Sequence, residues 1–160
     1  MSSPTRSEYS PRQLSKASAS QYPNKIVINT IDTIKWGLGV ASTKLTILSL
    51  DTTDEELALA VRKHLNLTEF DLPNPVDPKS VSINFSKAAG FKNESDSYRK
   101  AKRLNIVEQN GKIKILANWN KGRSAFEGIK GSEIEVESTT SDTELGRQIL
   151  IGWTLCEGGI

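Results

Sequence analysis

Residues 104–118 read LNIVEQNGKIKILAN, and this stretch decides the fold. Two β-rich segments, 104–108 and 112–118, stand on either side of Asn110-Gly111. Asn-Gly is the strongest short signal for a hairpin because both residues tolerate positive φ angles. The stretch therefore predicts two antiparallel strands joined by a tight turn.

Similar strand patterns occur outside this hairpin. Segments rich in β-branched or alternating apolar residues predict further strands at 25–31, 34–40, 44–50, 124–129 and 133–137. The first three are joined by pieces too short for the crossover connection that parallel strands need. These strands therefore predict an antiparallel sheet.

Two segments carry the signature of a helix start. Thr53 is followed by Glu56, and Ser141 by Glu144, as in a capping box, where the two side chains satisfy free backbone N–H groups. Apolar residues then recur at helical spacing, which predicts one buried face on each helix. These residues are Leu57, Ala60, Val61 and Leu65 in the first helix, and Leu145, Ile149, Trp153 and Cys156 in the second.

Strands followed by single helices predict an α+β fold, an antiparallel sheet with helices packed on one face. The two similar helix starts, each preceded by strand-like sequence, indicate a weak internal duplication of a strand, strand, helix unit. A short helix is expected at 82–90, and a basic helix at 94–104.

Proline and serine set the expected boundaries. Residues 1–23 hold many Ser residues, three Pro residues and few apolar side chains, which predicts a polar, flexible leader. Residues 71–80 contain three further prolines, so neither a helix nor a central strand can run through them. We therefore expect a single α+β domain over 24–160, with two halves joined at about 71–80.

The composition favours a binding protein over an enzyme. The single cysteine, Cys156, excludes an internal disulfide and a cysteine-based zinc site, and we expect it to be buried on a helix. The single histidine, His64, is expected at the surface. The sequence holds no phosphate loop and no nucleophile motif, so we expect no catalytic residue, cofactor or metal. Without a signal peptide or a long apolar run, the protein is expected in the cytoplasm.

Charge is segregated along the chain, although the formal net charge is only +2. Residues 99–103 carry four basic side chains and no acid, whereas two acidic groups lie elsewhere. The candidate partner-binding residues are first Glu133, Glu135, Glu137, Asp142 and Glu144, and second Asp54, Glu55 and Glu56. The alternation at 133–137 places three glutamates on one exposed strand face, where a basic partner would relieve their repulsion. A solvated surface is the alternative interpretation for both the acidic and the basic groups.

Short motifs in the second half are similar to a known family. They are Ser97-Tyr98-Arg99-Lys100 with Ala101-Lys102, the hairpin at Asn110-Gly111, Phe126 with Gly128, and Asp142-Thr143-Glu144-Leu145-Gly146. Over about residues 95–157 the chain resembles the immunity proteins of bacterial contact-dependent growth inhibition (CDI) systems. The resemblance implies structural roles for Tyr98, Phe126, Gly128, Leu145 and Gly146.

The resemblance also implies a function. An immunity protein of this family would bind the toxic C-terminal domain of a matching effector inside the producing cell and block its active site. Many such toxins are nucleases, whose grooves must be basic to hold phosphates, so an acidic inhibitor surface is the expected complement. We expect such a protein to act as a monomer, without contact to a membrane.

Two other functions remain open from sequence. A nucleic-acid-binding accessory protein would use the basic segment 99–103, although a net charge of +2 and few aromatic residues make this less favoured. A carboxylate-based hydrolase would act without a partner, with a pH profile set by one raised carboxyl pKa.

Overall fold

The structure, a computed structural model, describes residues 14–122 and 125–158, which form a sheet of eight strands and three α-helices. In chain order the elements are β1 (Ser15–Gln21), β2 (Ile26–Thr33), β3 (Gly39–Leu48), α1 (Asp54–Asn66), α2 (Lys79–Ala88), a 3₁₀ turn (Ser95–Ser97), β4 (Lys102–Gln109), β5 (Lys112–Gly122), β6 (Ala125–Gly128), β7 (Ile134–Glu137), α3 (Asp142–Thr154) and β8 (Glu157–Gly158).

The sheet runs in the order β3-β2-β1-β4-β5. The long strand β5 then pairs along its first half with β7 and along its second half with β6. These pairings are antiparallel, and only the short β8 lies parallel to β5 among the described strands. The β4–β5 hairpin turns at Asn110 and Gly111, whose φ angles are 56° and 70°. The predicted α+β fold and this hairpin are confirmed.

Strand β1 corrects the predicted leader. Residues 15–21 form a central strand between β2 and β4, whereas the sequence predicts a flexible leader over 1–23. The strand reads SKASASQ, and its small side chains fit because both of its faces are covered. Ala19 is fully buried, and its carbonyl accepts a hydrogen bond from the indole of Trp153 at 3.1 Å. Residues 1–13 lie outside the described part.

The helices occupy both faces of the sheet. Ile26 and Ile28 of β2 belong to the larger core, which contains the buried faces of α1 and α3. Val27 points the other way and packs with Phe85 of α2. The predicted packing of helices on one face is therefore correct for α1 and α3, whereas α2 covers the opposite face.

The two predicted helix starts are present. Thr53 and Glu56 form a complete capping box at α1. At α3 the Ser141 hydroxyl accepts from the Glu144 N–H at 3.1 Å, but the Glu144 carboxylate bonds Gln148 instead of reaching back. The predicted apolar faces are buried, except that Cys156 lies beyond the end of α3 and is half-buried.

Two segments differ from the predicted elements. Residues 34–38 form a turn, closed by a hydrogen bond from the Ile34 N–H to the Leu38 carbonyl at 3.0 Å, and β3 is one continuous strand after it. Residues 94–104 contain only the 3₁₀ turn and the start of β4. The Asn120 side chain donates to the carbonyls of Tyr98 and Ala101, which holds this segment against β5 in place of a helix.

The strands are arranged in a similar way on the two sides of the central β1–β4 pair. β1, β2 and β3 run outwards on one side and lead into α1, and β4, β5 and β7 run outwards on the other side and lead into α3. The first half has three strands before its helix and the second has four, since β6 also precedes α3, whereas the sequence predicts two in each half. The internal duplication itself stays a prediction.

Candidate protein-binding surface

The acidic strand β7 is exposed but largely neutralised. Lys112 Nζ lies 2.7 Å from Glu137 and 3.7 Å from Glu135, and Lys114 Nζ lies 3.9 Å from Glu133. The hydrogen bond and charge of Glu137 raise the pKa of Lys112. The expected exposed face is confirmed, but its three carboxylates stand against two ammonium groups from β5.

A second acidic surface forms where the first turns of α1 and α3 meet. The Thr143 hydroxyl donates to Glu55 at 3.0 Å, and Gly146 lies against the backbone of Asp54. We call this surface the helix-end patch. It comprises Asp54, Glu55, Glu56, Asp142 and Glu144.

The helix-end patch keeps an excess of negative charge. Arg62 pairs with Asp142 at 2.8 Å, and Arg147 pairs with Glu144 at 2.9 Å. Five carboxylates therefore face two guanidinium groups, which leaves three negative charges, and the positive ends of the two helix dipoles offset about one of these. Hydrogen bonds from Gln148 and Arg147 lower the pKa of Glu144, so it is ionised at neutral pH.

The two acidic groups form separate surfaces. Ile134 and Val136 of β7 pack against the core that lies beneath α1 and α3. The alternating glutamates of β7 consequently point to the opposite side of the sheet. The eight acidic candidates are thus divided into three at or directly before β7 and five in the helix-end patch.

An exposed apolar patch lies where the sequence predicts a strand, at 34–40, and a proline-rich linker, at 71–80, and for that reason the sequence did not indicate it. Trp36 is 64% exposed, and Leu38 and Val76 are also exposed nearby. The Trp36 N–H donates to the Asn74 side chain at 3.0 Å, which ties the 34–38 turn to the proline-rich segment. A Trp beside Gly37 in a turn is the signal that could have indicated an exposed aromatic residue.

The basic segment 99–103 does not form a helix face. Arg99 is exposed and lies 3.7 Å from Asp96. Arg103 turns inward, with its guanidinium carbon 4.2 Å from the centre of the Phe126 ring and its Nε bonded to Ser20 Oγ at 3.1 Å. The predicted basic helix is therefore wrong, because β4 sends neighbouring side chains to opposite faces.

His64 is buried, so its predicted surface position is wrong. The side chain is 1% exposed, and its Nδ1 and Nε2 lie 2.9 Å from the hydroxyls of Thr30 and Thr46. Burial, with smaller effects of the Lys63 and Lys44 charges, lowers the pKa of His64 to about 4. The ring is thus a neutral structural link between α1, β2 and β3.

The described residues offer no obvious metal site. No three His, Cys, Asp or Glu side chains within 14–122 and 125–158 are grouped so that they could hold an ion. None of the helices in these ranges is long and apolar enough to cross a membrane.

Two solved structures share the fold. A Neisseria meningitidis protein of unknown function has a TM-score of 0.76 at 18% identity, covering 93% of this chain and 99% of its own. A chain of the CdiA-CT/CdiI toxin and immunity complex from Yersinia pseudotuberculosis has a TM-score of 0.74 at 16% identity, covering 90% and 98%. No curated protein matches the chain in sequence.

A match to a family model assigns the sequence to a family, which the structural similarity alone does not do. The model described as CdiI, CDI immunity protein, matches residues 15–156, from the first residue of β1 to just beyond α3. The match includes the first half of the chain, where the sequence motifs were weak. The chain therefore belongs to the CdiI family of CDI immunity proteins.

Proposed function

We propose that this protein neutralises the toxin domain encoded beside it by binding over the toxin's active site through the helix-end patch. Family membership supports the immunity role, and the solved Yersinia structure is a complex of a CdiA-CT toxin with its immunity protein. In this proposal the chain acts as a monomer in the cytoplasm of the producing cell, without a metal or cofactor.

The charge balance is the observation that carries the choice of surface. In the helix-end patch, five carboxylates face only two guanidinium groups, whereas three glutamates at and beside β7 face two ammonium groups, those of Lys112 and Lys114. A partner that approaches β7 must compete with ion pairs already formed. We therefore rank the helix-end patch above β7 as the site of contact. The patch joins Asp142 and Glu144 from the first group of sequence candidates to the whole of the second group.

The same balance indicates the chemistry of the partner. A surface with excess negative charge attracts a basic one and accelerates association at low salt. A nuclease groove is basic because it must hold phosphates. We infer that the toxin is a nuclease and that the carboxylates of the patch occupy positions where the nucleic acid phosphates would bind.

Apolar side chains beside the patch could supply the dry centre of such an interface. Leu59 of α1 and Leu150 of α3 are exposed on the helices that carry the carboxylates. Interfaces combine an apolar centre with a polar rim, and charge alone gives specificity and rate more than affinity. We include both leucines in the proposed contact surface.

Co-expression with the toxin domain from the same locus tests the proposal. The double variant Glu55→Lys/Glu144→Lys reverses two patch charges and spares the Thr53–Glu56 capping box. The matched control Glu135→Lys/Glu137→Lys reverses two charges on β7. We expect the patch variant to lose growth protection and to bind the purified toxin at least about tenfold more weakly, the equivalent of one interfacial charge pair. We expect the β7 variant to protect cells like the wild type.

Several results would contradict this proposal. Protection lost only in the β7 variant, or only after Trp36→Ser, would move the contact to another surface while leaving the immunity role intact. A wild-type chain that neither binds the toxin domain nor protects cells would contradict the role itself. Thermal unfolding of each variant establishes that it is folded before binding is compared.

A further inference from the structure

A cavity of about 460 Å³ lies on the face of the sheet opposite α1 and α3. Strands β1, β2 and β4 form its floor, and Phe85 of α2 and Phe126 of β6 are among its walls. This volume is in the range that holds small organic ligands. The cavity is separate from both acidic surfaces, since none of the eight acidic candidates lines it.

The floor of the cavity carries a row of polar side chains. Ser18 of β1 is paired in register with Asn29 of β2 on one side and with Asn105 of β4 on the other. Ser18 is 3% exposed and Asn29 is 1% exposed, and neither Ser18 Oγ nor Asn29 Oδ1 has a hydrogen-bond partner. Buried polar atoms are rarely left unpaired, so these two are available to form hydrogen bonds with a ligand in the cavity.

The charges that line the cavity are all positive. Lys16 and Arg103 contribute to its lining, and no Asp or Glu does. Among the described residues, neither cation lies within ion-pair distance of a carboxylate. The Arg103 guanidinium is fixed by stacking on Phe126, by its bond to Ser20 and by a hydrogen bond with the Tyr22 hydroxyl, and the N–H groups outside these contacts are held in place to bind an anion.

We propose that this cavity binds a carboxylate carried on a short planar body that also bears a hydroxyl or N–H group. Arg103 and Lys16 would hold the carboxylate, Asn29 Oδ1 would accept from the donor group, and Phe85 and Phe126 would contact the body. Such a carboxylate belongs to a free small molecule, because the aliphatic Asp and Glu side chains of a bound protein have neither the planar body nor the donor group. The proposal does not rest on the immunity role, since the cavity is a property of this chain alone.

An NMR titration of the full chain tests the proposal, with 4-hydroxybenzoate as the probe and 4-hydroxybenzamide as its neutral match. We expect the benzoate to cause saturable shifts at the amides of Ser18 and Asn29, and the benzamide to bind at least about tenfold more weakly, as expected for a lost charge-assisted contact. Arg103→Gln and Lys16→Gln should each weaken benzoate binding. Lys112→Gln, a remote cation on β5, should not.

The alternative is a cavity that holds only water. No saturable shift, equal binding of the two probes, or unchanged binding in Lys16→Gln and Arg103→Gln would overturn the proposal. Arg103 also packs on Phe126, so Lys16→Gln alone decides the outcome if Arg103→Gln does not fold.

Discussion

Gly146 of α3 packs directly against the backbone carbonyl of Asp54 in α1. A Cβ atom at position 146 would lie 2.0 Å from that oxygen and 2.5 Å from its carbon. Backbone atoms cannot rotate away as the end of a side chain can. The glycine therefore sets how closely the two helices approach, and it holds the two parts of the helix-end patch together.

We predict that Gly146→Ala lowers the free energy of unfolding by roughly 1–3 kcal/mol, the usual result of overpacking, even though Ala favours a helix more than Gly does. Gly152→Ala is the matched control within α3. Its Cβ would meet the side chains of Leu104 and Ile115 at 3.1 to 3.2 Å, and these can shift. Urea denaturation should show a smaller loss for Gly152→Ala, and equal losses would contradict the steric explanation.

Arg62 joins α1 to the segment that leads into α3. Its guanidinium donates to the Ser138 carbonyl at 2.7 Å, to the Thr140 carbonyl at 2.5 Å and to Asp142 Oδ1 at 2.8 Å. We predict that Arg62→Met lowers the free energy of unfolding by about 2–3 kcal/mol and accelerates amide exchange at 138–142. Arg62→Lys should recover little of this loss, because an ammonium group cannot reproduce the planar fork.

Arg147 provides the comparison for Arg62. Its ion pair with Glu144 is a surface contact, with the Arg147 side chain 61% exposed. Exposed pairs contribute little because water screens them, so Arg147→Met should leave the free energy of unfolding almost unchanged, in contrast to Arg62→Met. A loss as large as that of Arg62→Met would mean that charge alone, rather than the three-way bonding, stabilises this region.

The features predicted correctly from sequence arise from local interactions. The turn at Asn110-Gly111 depends on the φ preferences of two residues, and the cap at Thr53 depends on a neighbour three positions away. Strand β1 gave no such local signal. Its small residues have weak strand propensity, and their burial depends on α1, α3 and β4, which follow later in the chain.

In the candidate site, too, the features set by neighbouring residues could be predicted from sequence, and those set by distant residues could not. Alternation along β7 was enough to predict that Glu133, Glu135 and Glu137 are exposed. Their pairing with lysines could not be predicted, because it depends on the register that β7 adopts beside β5. The helix-end patch could not be predicted either, because it joins two distant segments of the chain. Glu55 and Thr143, which form a hydrogen bond across it, are 88 positions apart.

Cys156 should react slowly with thiol reagents. Its Sγ is half-buried beside the carbonyls of Arg103 and Gly152, and burial raises the pKa of the thiol. Because the thiolate is the reactive form, we predict a rate with Ellman's reagent at pH 8 at least about tenfold below that of the unfolded chain in urea. The chain has a single cysteine, so the comparison needs no variant. Equal rates would show that the thiol is accessible.

His64 makes the stability of the fold depend on pH. The Thr30 hydroxyl donates to the His64 carbonyl at 2.9 Å, so its oxygen accepts from Nδ1–H, and the Thr46 hydroxyl donates to Nε2. This arrangement suits the neutral ring. In the unfolded chain the ring takes up a proton below about pH 6.5, whereas in the folded chain it does so only near pH 4.

Between these two values the unfolded state binds more protons, so stability falls as the pH falls. We predict that lowering the pH from 7 to 5 costs roughly 2 kcal/mol through His64 alone, and that His64→Gln removes this part of the pH dependence. Urea denaturation at each pH measures the difference between the two proteins. Because the chain has one histidine, its ring signals in an NMR titration give the folded pKa directly. A midpoint near 6.5 would contradict the assignment, since a buried ring bonded in its neutral form must resist protonation until the pH is far lower.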